Sequence, residues 1–335
     1  MLQIRFVALL SLLFFVLVPV CQAVAAELVV YSSRKEQLLK PLFDAYTKET
    51  GTEISFVTGK IDALLKQLKE EGRESPADLL LTSDAGNLWH ASMQGLLQPI
   101  RSKVLVKNIP EHLYDPQRRW FGLSLRARTI VYSTERVNRN DLSTYEALGD
   151  PKWNKRLLLR TSNKVYNKSL VAMFIAEEGE EKAEQLVKSW VDNLAADPLA
   201  KDSQVMDAIV DGQGDIGIVN TYYFGHLMRE NPNLKLALFW PNQESTGVHV
   251  NVSGGGVLRS AKHRKEAVKF LEWLSSEKAQ NLYADVVLEY PVNPRVQASK
   301  EVAAWGDFNQ NKLNLSKAGE LQTTATRLME RVGYN

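Results

Sequence analysis

The sequence is poor in the side chains that build common metal and catalytic sites. It has one cysteine, Cys21, so a disulfide framework and a C-x-x-C metal site are excluded. Five histidines are scattered along the chain, and none stands in an H-E-x-x-H arrangement, which argues against a zinc enzyme. No G-x-S-x-G elbow occurs, so the common α/β type of serine hydrolase has no support.

An excess of charge of one sign is also missing. The chain has 41 Lys and Arg residues against 39 Asp and Glu residues. Nucleic-acid-binding proteins usually show a basic excess, so no nucleic-acid partner is expected. A second long apolar run is missing too, and beyond the first residues we expect no segment that spans a membrane.

The one long apolar run lies at the start of the chain. The run from Phe6 to Val20, followed by the small residues of "AVA" at 23–25, predicts a cleaved signal peptide over residues 1–26. A membrane anchor is the alternative, but a spanning helix needs roughly 20 apolar residues and Pro19 interrupts this run. Lipidation at Cys21 is a second alternative, although the preceding residue is not small.

The remaining chain, about 310 residues, is long enough for two domains. Its first third alternates strand-like segments ("ELVVYSS", "TEISFVTG", "ADLLLTSD") with amphipathic helix-like segments that end at Gly51 and Gly72. This β-α alternation predicts an α/β fold with mixed, mainly parallel sheets flanked by helices. No low-complexity linker is present, so the two domains are expected to be joined by strands that act as a hinge.

Three tyrosines stand in the same sequence setting. Tyr222 and Tyr223 follow the strand-like "DIGIV", and Tyr166 follows "RLLLR", with a helix-like segment after each. One interpretation is structural, with one ring of the pair in the core and the other facing water. The other is functional, because the carboxyl edge of an α/β sheet binds ligands and irregular backbone there lets adjacent side chains converge.

Three converging phenols would make a specific kind of metal site. A phenol has a pKa near 10 and is neutral at pH 7, so it becomes a phenolate only when a strong Lewis acid displaces its proton. Hard, highly charged cations prefer anionic oxygen to imidazole or thiolate. A cysteine-free, tyrosine-rich site therefore indicates ferric iron.

Five segments in order carry a resemblance to a known family. They are "LVVYSSRKEQLLKPLFDAYTKETG", "SPADLLLTSDAGNLWHA", "GLSLRARTIVYS", "SNKVYNKSLVA" and "GIVNTYYFGHL". Together they resemble the periplasmic ferric-ion-binding proteins of bacterial iron ABC importers, along nearly the whole chain after the signal peptide. The resemblance implies a two-lobed periplasmic binding protein fold with strand hinges and a ligand cleft between the lobes. The N-terminal lobe would comprise residues 27–128 plus about 252–305, and the C-terminal lobe 129–251 plus about 306–335.

The resemblance also implies the site residues. Tyr166, Tyr222 and Tyr223 would coordinate Fe(III) as phenolates. A synergistic anion such as carbonate would bind Arg126, since a guanidinium fork suits a planar oxyanion. Further candidates for the anion shell are Arg34, Arg128, Ser162 and Asn220.

The first lobe departs from the family pattern. Many relatives carry a His or a His-Tyr pair after the first strand, where this chain has "SSRKEQ". Glu36, Asp84 and Tyr31 are therefore secondary candidates for a first-lobe ligand, and Arg34 is a candidate anion clamp. Iron held by three tyrosines and an anion alone is the other possibility.

The expected function is binding without catalysis. The protein would be a periplasmic monomer that delivers Fe(III) to an inner-membrane ABC permease. One alternative is a binding protein for an oxyanion or a phosphonate-type solute on the same fold, in which the tyrosines only donate hydrogen bonds. A more distant alternative is an exported hydrolase that uses Asp84 and Glu36 as an acid and base pair.

Overall fold

The computed structural model describes residues 27–335, with the side chain of residue 285 left out. The predicted signal peptide, residues 1–26 including Cys21, lies outside these residues. Within the described part of the chain, no helix has the length and apolar character needed to cross a membrane.

Strands and helices alternate along much of the chain. The strands are β1 (Glu27–Ser32), β2 (Glu53–Thr58), β3 (Leu79–Ser83), β4 (Phe121–Ser133), β5 (Leu157–Leu158), β6 (Ile216–Asn220), β7 (Leu236–Phe239) and β8 (Val250–Val257). The helices are α1 (Glu36–Thr50), α2 (Ile61–Glu71), α3 (Ala85–Met93), α4 (Lys103–Asn108), α5 (Val165–Glu178), α6 (Glu180–Asp192), α7 (Asp202–Val210), α8 (Thr221–Glu230), α9 (Arg264–Leu274), α10 (Glu277–Val287), α11 (Lys300–Ala303), α12 (Ser316–Glu320) and α13 (Gln322–Arg331).

Helix α1 shows how the sequence pattern becomes structure. Its buried residues Leu39, Leu42, Phe43 and Tyr46 recur at helical spacing and face the core. The helix ends at Gly51, whose φ of 74° is left-handed and whose backbone N–H donates to the Thr47 carbonyl. The predicted stop at this glycine is therefore confirmed.

The strands form one mixed sheet in the order β2-β1-β3-β8-β4-β6-β5, and β7 also pairs with β4. The predicted α/β fold is confirmed, but parallel pairing is less prevalent than expected. It joins β1 to β2, β1 to β3 and β5 to β6, whereas β8 is antiparallel to β3 and β4, and β4 is antiparallel to β6 and β7. The reason is that single crossover helices connect only the first three strands, and such crossovers are what keep neighbouring strands parallel.

Strand β4 connects the two parts of the sheet. Its 13 residues are all buried. The portion from Phe121 to Ala127 pairs with β8, and the portion from Arg128 to Ser133 pairs with β6 and β7. Arg126 and Arg128 therefore lie at the junction between the two parts of the sheet.

Buried apolar side chains form separate clusters on the two sides of this junction. Leu125 belongs to a cluster with β1, β3, α1 and α9. Ile130 belongs to a second cluster with α5 and α6, and Val131 to a third with α7. Because Ile130 and Val131 are consecutive, these two clusters lie on opposite faces of the strand. The lobe boundaries given above stay a prediction.

Candidate metal centre

A cavity of about 520 Å³ lies at the carboxyl ends of β1, β3 and β6. Five predicted site residues line it: Tyr166, Tyr222, Tyr223, Arg34 and Arg126. The first three come from helices that follow the strands of the second part of the sheet, and Arg34 follows β1. The cavity is therefore built from both sides of β4, at the edge where α/β sheets bind ligands.

The three tyrosines converge on this cavity. The hydroxyl of Tyr222 donates to the hydroxyl oxygen of Tyr166 at 3.3 Å. The ring centroids of Tyr222 and Tyr223 are 4.3 Å apart. The structure thus brings the predicted phenols together, and the interpretation with one ring in the core and one in water does not hold.

The backbone that carries these phenols is helical. Tyr222 and Tyr223 are the second and third residues of α8, and Tyr166 is the second residue of α5. The expectation of irregular backbone was therefore wrong. The first turn of a helix places unpaired N–H groups and the positive end of the helix dipole beside the phenols. That field favours negative oxygens over neutral ones.

The protonated forms of Tyr166 and Tyr222 are favoured by their buried surroundings. Burial raises the pKa of Tyr222 well above the ordinary value of 10.0, and the neighbouring rings of Tyr166 and Tyr223 raise it further. Burial also raises the pKa of Tyr166, while the Arg126 guanidinium opposes this rise. Ionising these phenols therefore requires a strong cation at the hydroxyl oxygens.

Arg126 is fixed by a buried carboxylate, Asp84. The carboxylate accepts from Arg126 at 3.3 Å, from the Asn251 amide at 2.9 Å, from the Ser169 hydroxyl at 2.9 Å and from the Gly86 backbone at 3.0 Å. Asp84 is fully buried and does not line the cavity. Both oxygens of Asp84 already accept hydrogen bonds from these four donors. The structure therefore does not support Asp84 as a metal ligand or a hydrolytic acid.

Arg34 also lines the cavity and also has a buried partner. Its guanidinium lies 3.4 Å from the carboxylate of Glu289, which accepts hydrogen bonds from the hydroxyls of Ser124 and Ser253. Burial raises the pKa of Glu289, but Arg34 and then Arg126 outweigh burial and leave this pKa below its ordinary value. An ionised carboxylate therefore stands in the cavity wall.

Arg128 is bound within the protein instead of facing the cavity. It donates to the Asn167 side chain at 2.8 Å, to Asp202 at 3.1 Å, to Asn220 at 3.3 Å and to the Ile218 carbonyl at 3.2 Å. These contacts stabilise the end of β6 and the start of α5. The prediction of Arg128 as an anion-binding residue is therefore not supported.

The structure separates the remaining candidates. Asn220 does not line the cavity, but its amide donates to the Tyr222 hydroxyl oxygen at 3.4 Å. Ser162 does not line the cavity, and its backbone N–H donates to the Asn335 carbonyl. Glu36 is exposed at the first position of α1, outside the cavity lining.

Tyr31 points away from the cavity. Its hydroxyl donates to Glu71 at 2.8 Å and accepts from the Gln67 amide at 3.1 Å. Burial and the Glu71 carboxylate raise the pKa of Tyr31 to about 12. The structure therefore places this phenol in a hydrogen-bond network with α2, away from the other three.

Sequence inspection missed several groups at the site. Glu289, His226 and Glu230 line the cavity, and Arg160 packs against its tyrosines. His226 and Glu230 follow Tyr222 by four and eight residues, so helical spacing alone would have placed all three on one face of α8. For Glu289 the available signal was a single acidic residue in the apolar run "VVLEYPV".

Comparison with known proteins identifies relatives that match most of the chain. Residues 74–309 match the family described as bacterial extracellular solute-binding protein. The chain is 42% identical over 314 residues to iron uptake protein A1 of Synechocystis sp., covering 92% of this chain and 87% of that protein. The fold is similar to that of a Trichodesmium protein solved in complex with iron and citrate ligands, with a TM-score of 0.90, 40% identity, and coverage of 92% of this chain and 100% of that one. It is also similar to ferric iron-binding protein A of Mannheimia haemolytica in an open conformation, with a TM-score of 0.87, 33% identity, and coverage of 92% and 99%.

Proposed function

This chain belongs to the family of bacterial extracellular solute-binding proteins, and from that premise we propose that it captures Fe(III) through the phenolate oxygens of Tyr166, Tyr222 and Tyr223. The protein binds and delivers the ion and performs no chemistry on it. The names of its relatives, which mention iron uptake and ferric iron, support this proposal.

The observation that carries the proposal is the convergence of three phenols on one cavity, with two hydroxyl oxygens only 3.3 Å apart. Among residues 27–335, no group of three or more His, Cys, Asp or Glu side chains is placed to hold a metal ion. The phenols therefore provide the converging oxygen donors of this cavity. Such donors suit a hard trivalent cation better than a soft one.

Charge balance favours the same cation. Three phenolates neutralise Fe³⁺, so the bound ion adds no net charge to the buried site. The protons that the phenols lose leave with solvent as iron binds. The positive ends of α5 and α8 help to offset the cost of ionisation.

A small anion completes the coordination sphere in this proposal. Arg126 lines the cavity, and its Nη1 is buried without a hydrogen-bond partner among the described residues. A planar oxyanion such as carbonate would satisfy that donor and bind the metal at the same time. Arg34 closes the opposite wall, and its pairing with Glu289 leaves little net charge there.

The proposed role of the protein is in iron transport. We propose a periplasmic monomer in which the lobe of residues 27–128 plus about 252–305 closes over iron bound to the lobe of residues 129–251 plus about 306–335. The closed form would then dock on an inner-membrane ABC permease. Closure brings Arg34 and Lys35, at the start of α1, toward the tyrosines.

A ferric titration of the purified protein tests this function. We expect a visible phenolate-to-iron charge-transfer band that saturates at one iron per chain, and a sharper endpoint when carbonate is present than in carbonate-free buffer. A protein that binds phosphate or a phosphonate but shows no such band would instead favour the oxyanion alternative, in which the tyrosines only donate hydrogen bonds.

Replacing Tyr31 by phenylalanine should leave this titration unchanged, because its hydroxyl contacts Glu71 and Gln67 and not the cavity. The loss of those hydrogen bonds should lower the free energy of unfolding by about 1 kcal/mol, measured by urea denaturation. A loss of the charge-transfer band in Tyr31→Phe would show that the phenol coordinates iron after all.

A further inference from the structure

We propose that Arg160, which lies next to the cavity lining, is a positioning residue that supplies the positive charge left over among the buried guanidiniums of the iron site. The inference rests on the proposed function and names the group that favours the phenolates of Tyr166 and Tyr223 when iron binds. It follows from ring contacts, a charge count and unpartnered donors.

The guanidinium of Arg160 lies against the tyrosine rings. Its central carbon is 5.2 Å from the ring centroid of Tyr166 and 6.0 Å from that of Tyr223. The side chain is buried, so water screens the interaction little. A cation in contact with an aromatic ring stabilises the electron-rich form of that ring, and a phenolate is more electron-rich than a phenol.

The charge count sets Arg160 apart from the other guanidiniums. Arg34 and Arg126 each have a carboxylate of their own, whereas Arg160 shares one with Arg128. The pairs are Arg34 with Glu289 at 3.4 Å, Arg126 with Asp84 at 3.3 Å, and Asp202 with Arg128 at 3.1 Å and Arg160 at 3.5 Å. These four guanidiniums and three carboxylates therefore leave one positive charge beside the phenols.

The donors of Arg160 are also incompletely used. Its Nε is buried and has no hydrogen-bond partner among the described residues, and its Nη1 is buried with only the 3.5 Å ion pair to Asp202. A buried donor without a partner costs folding free energy. This arrangement is better explained by a negative charge that arrives later, when iron converts the phenols to phenolates and draws an anion into the cavity.

Removing Arg160 should leave the surrounding structure intact. Asp202 still accepts hydrogen bonds from Arg128 at 3.1 Å and from the Asn220 backbone N–H at 3.1 Å. The carboxylate would therefore stay paired. The effect of the substitution should fall on iron binding and not on folding.

The test compares Arg160→Gln and Arg160→Met with Arg160→Lys, which keeps the charge. Arg327→Gln serves as the matched control, because Arg327 is exposed on α13 in the same part of the fold. Each variant is titrated with ferric iron against a competing chelator, and the position of the charge-transfer band is recorded. A thermal scan of each metal-free variant shows whether it is folded.

We expect the two neutral variants to bind iron about 10- to 100-fold more weakly, as for other groups that support metal ligands. Their band should move to longer wavelength, because the phenolate electrons lose a stabilising cation. Arg160→Lys should recover most of the affinity and of the band position. If either folded neutral variant matches Arg327→Gln in affinity and band position, the role of Arg160 is refuted while iron binding stands. If the parent protein itself shows no band, the iron proposal fails first.

Discussion

Replacing Tyr222 by phenylalanine should weaken ferric binding on the order of a thousandfold, ~4 kcal/mol, and lower the intensity of the charge-transfer band per bound iron, because two of the three phenolates remain. Tyr222 lies between the other groups of the site. Its hydroxyl contacts the hydroxyl of Tyr166 and the amide of Asn220, and its ring lies against the ring of Tyr223. Loss of a ligand oxygen should cost more than the roughly 10- to 100-fold typical of groups that only support a ligand. A chelator competition followed at the band maximum measures both effects.

The same substitution should leave the fold almost unchanged. The phenylalanine ring keeps its position against Tyr223, and the hydrogen bonds lost are long, at 3.3 and 3.4 Å. Tyr290→Phe is a suitable control, because the Tyr290 hydroxyl is buried without a hydrogen-bond partner among the described residues. That control should bind iron like the parent. A Tyr222→Phe protein that keeps the parental affinity and band would contradict the assignment of this phenol as a ligand.

Acidification should release iron steeply, with the apparent affinity falling about a hundredfold per pH unit from Tyr166 and Tyr222 alone. Burial raises the pKa of both phenols above 10, so both are protonated throughout the range from about pH 5 to 8. Each must lose its proton when iron binds. Affinity therefore rises with pH, and protons displace the metal as pH falls.

Chelator competition at several pH values, together with direct measurement of the protons released on binding, tests this dependence. In Tyr222→Phe the slope of log affinity against pH should fall by about one, since one fewer proton is displaced. An affinity that stays constant over this pH range would mean that the tyrosines bind as neutral hydrogen-bond donors, as in the oxyanion alternative.

Local sequence signals were sufficient to find the phenols and the fold class. Tyr166, Tyr222 and Tyr223 each follow an apolar strand, and strand ends meet at one sheet edge by the geometry of the fold. Arg34 and Arg126, which the family resemblance implied, both line the cavity. What the pattern did not show is that the phenols occupy the first turns of helices.

The partners of the charged groups required the three-dimensional structure. Arg126 pairs with Asp84 across 42 residues of sequence, and Arg34 pairs with Glu289 across 255. No periodicity links such positions, because register and packing decide which carboxylate reaches which guanidinium. The sequence offered Asp84 as a secondary candidate for a first-lobe ligand, and only the structure shows its contact with Arg126. The direction of β4 against its neighbours was missed for the same reason.

The most direct measurement is a crystal structure of the protein grown with ferric iron, with anomalous scattering recorded at the iron edge. We expect a single iron peak in the cavity, within coordination distance of the hydroxyl oxygens of Tyr166, Tyr222 and Tyr223. An iron peak elsewhere, or phenol oxygens that turn away from the metal, would contradict it.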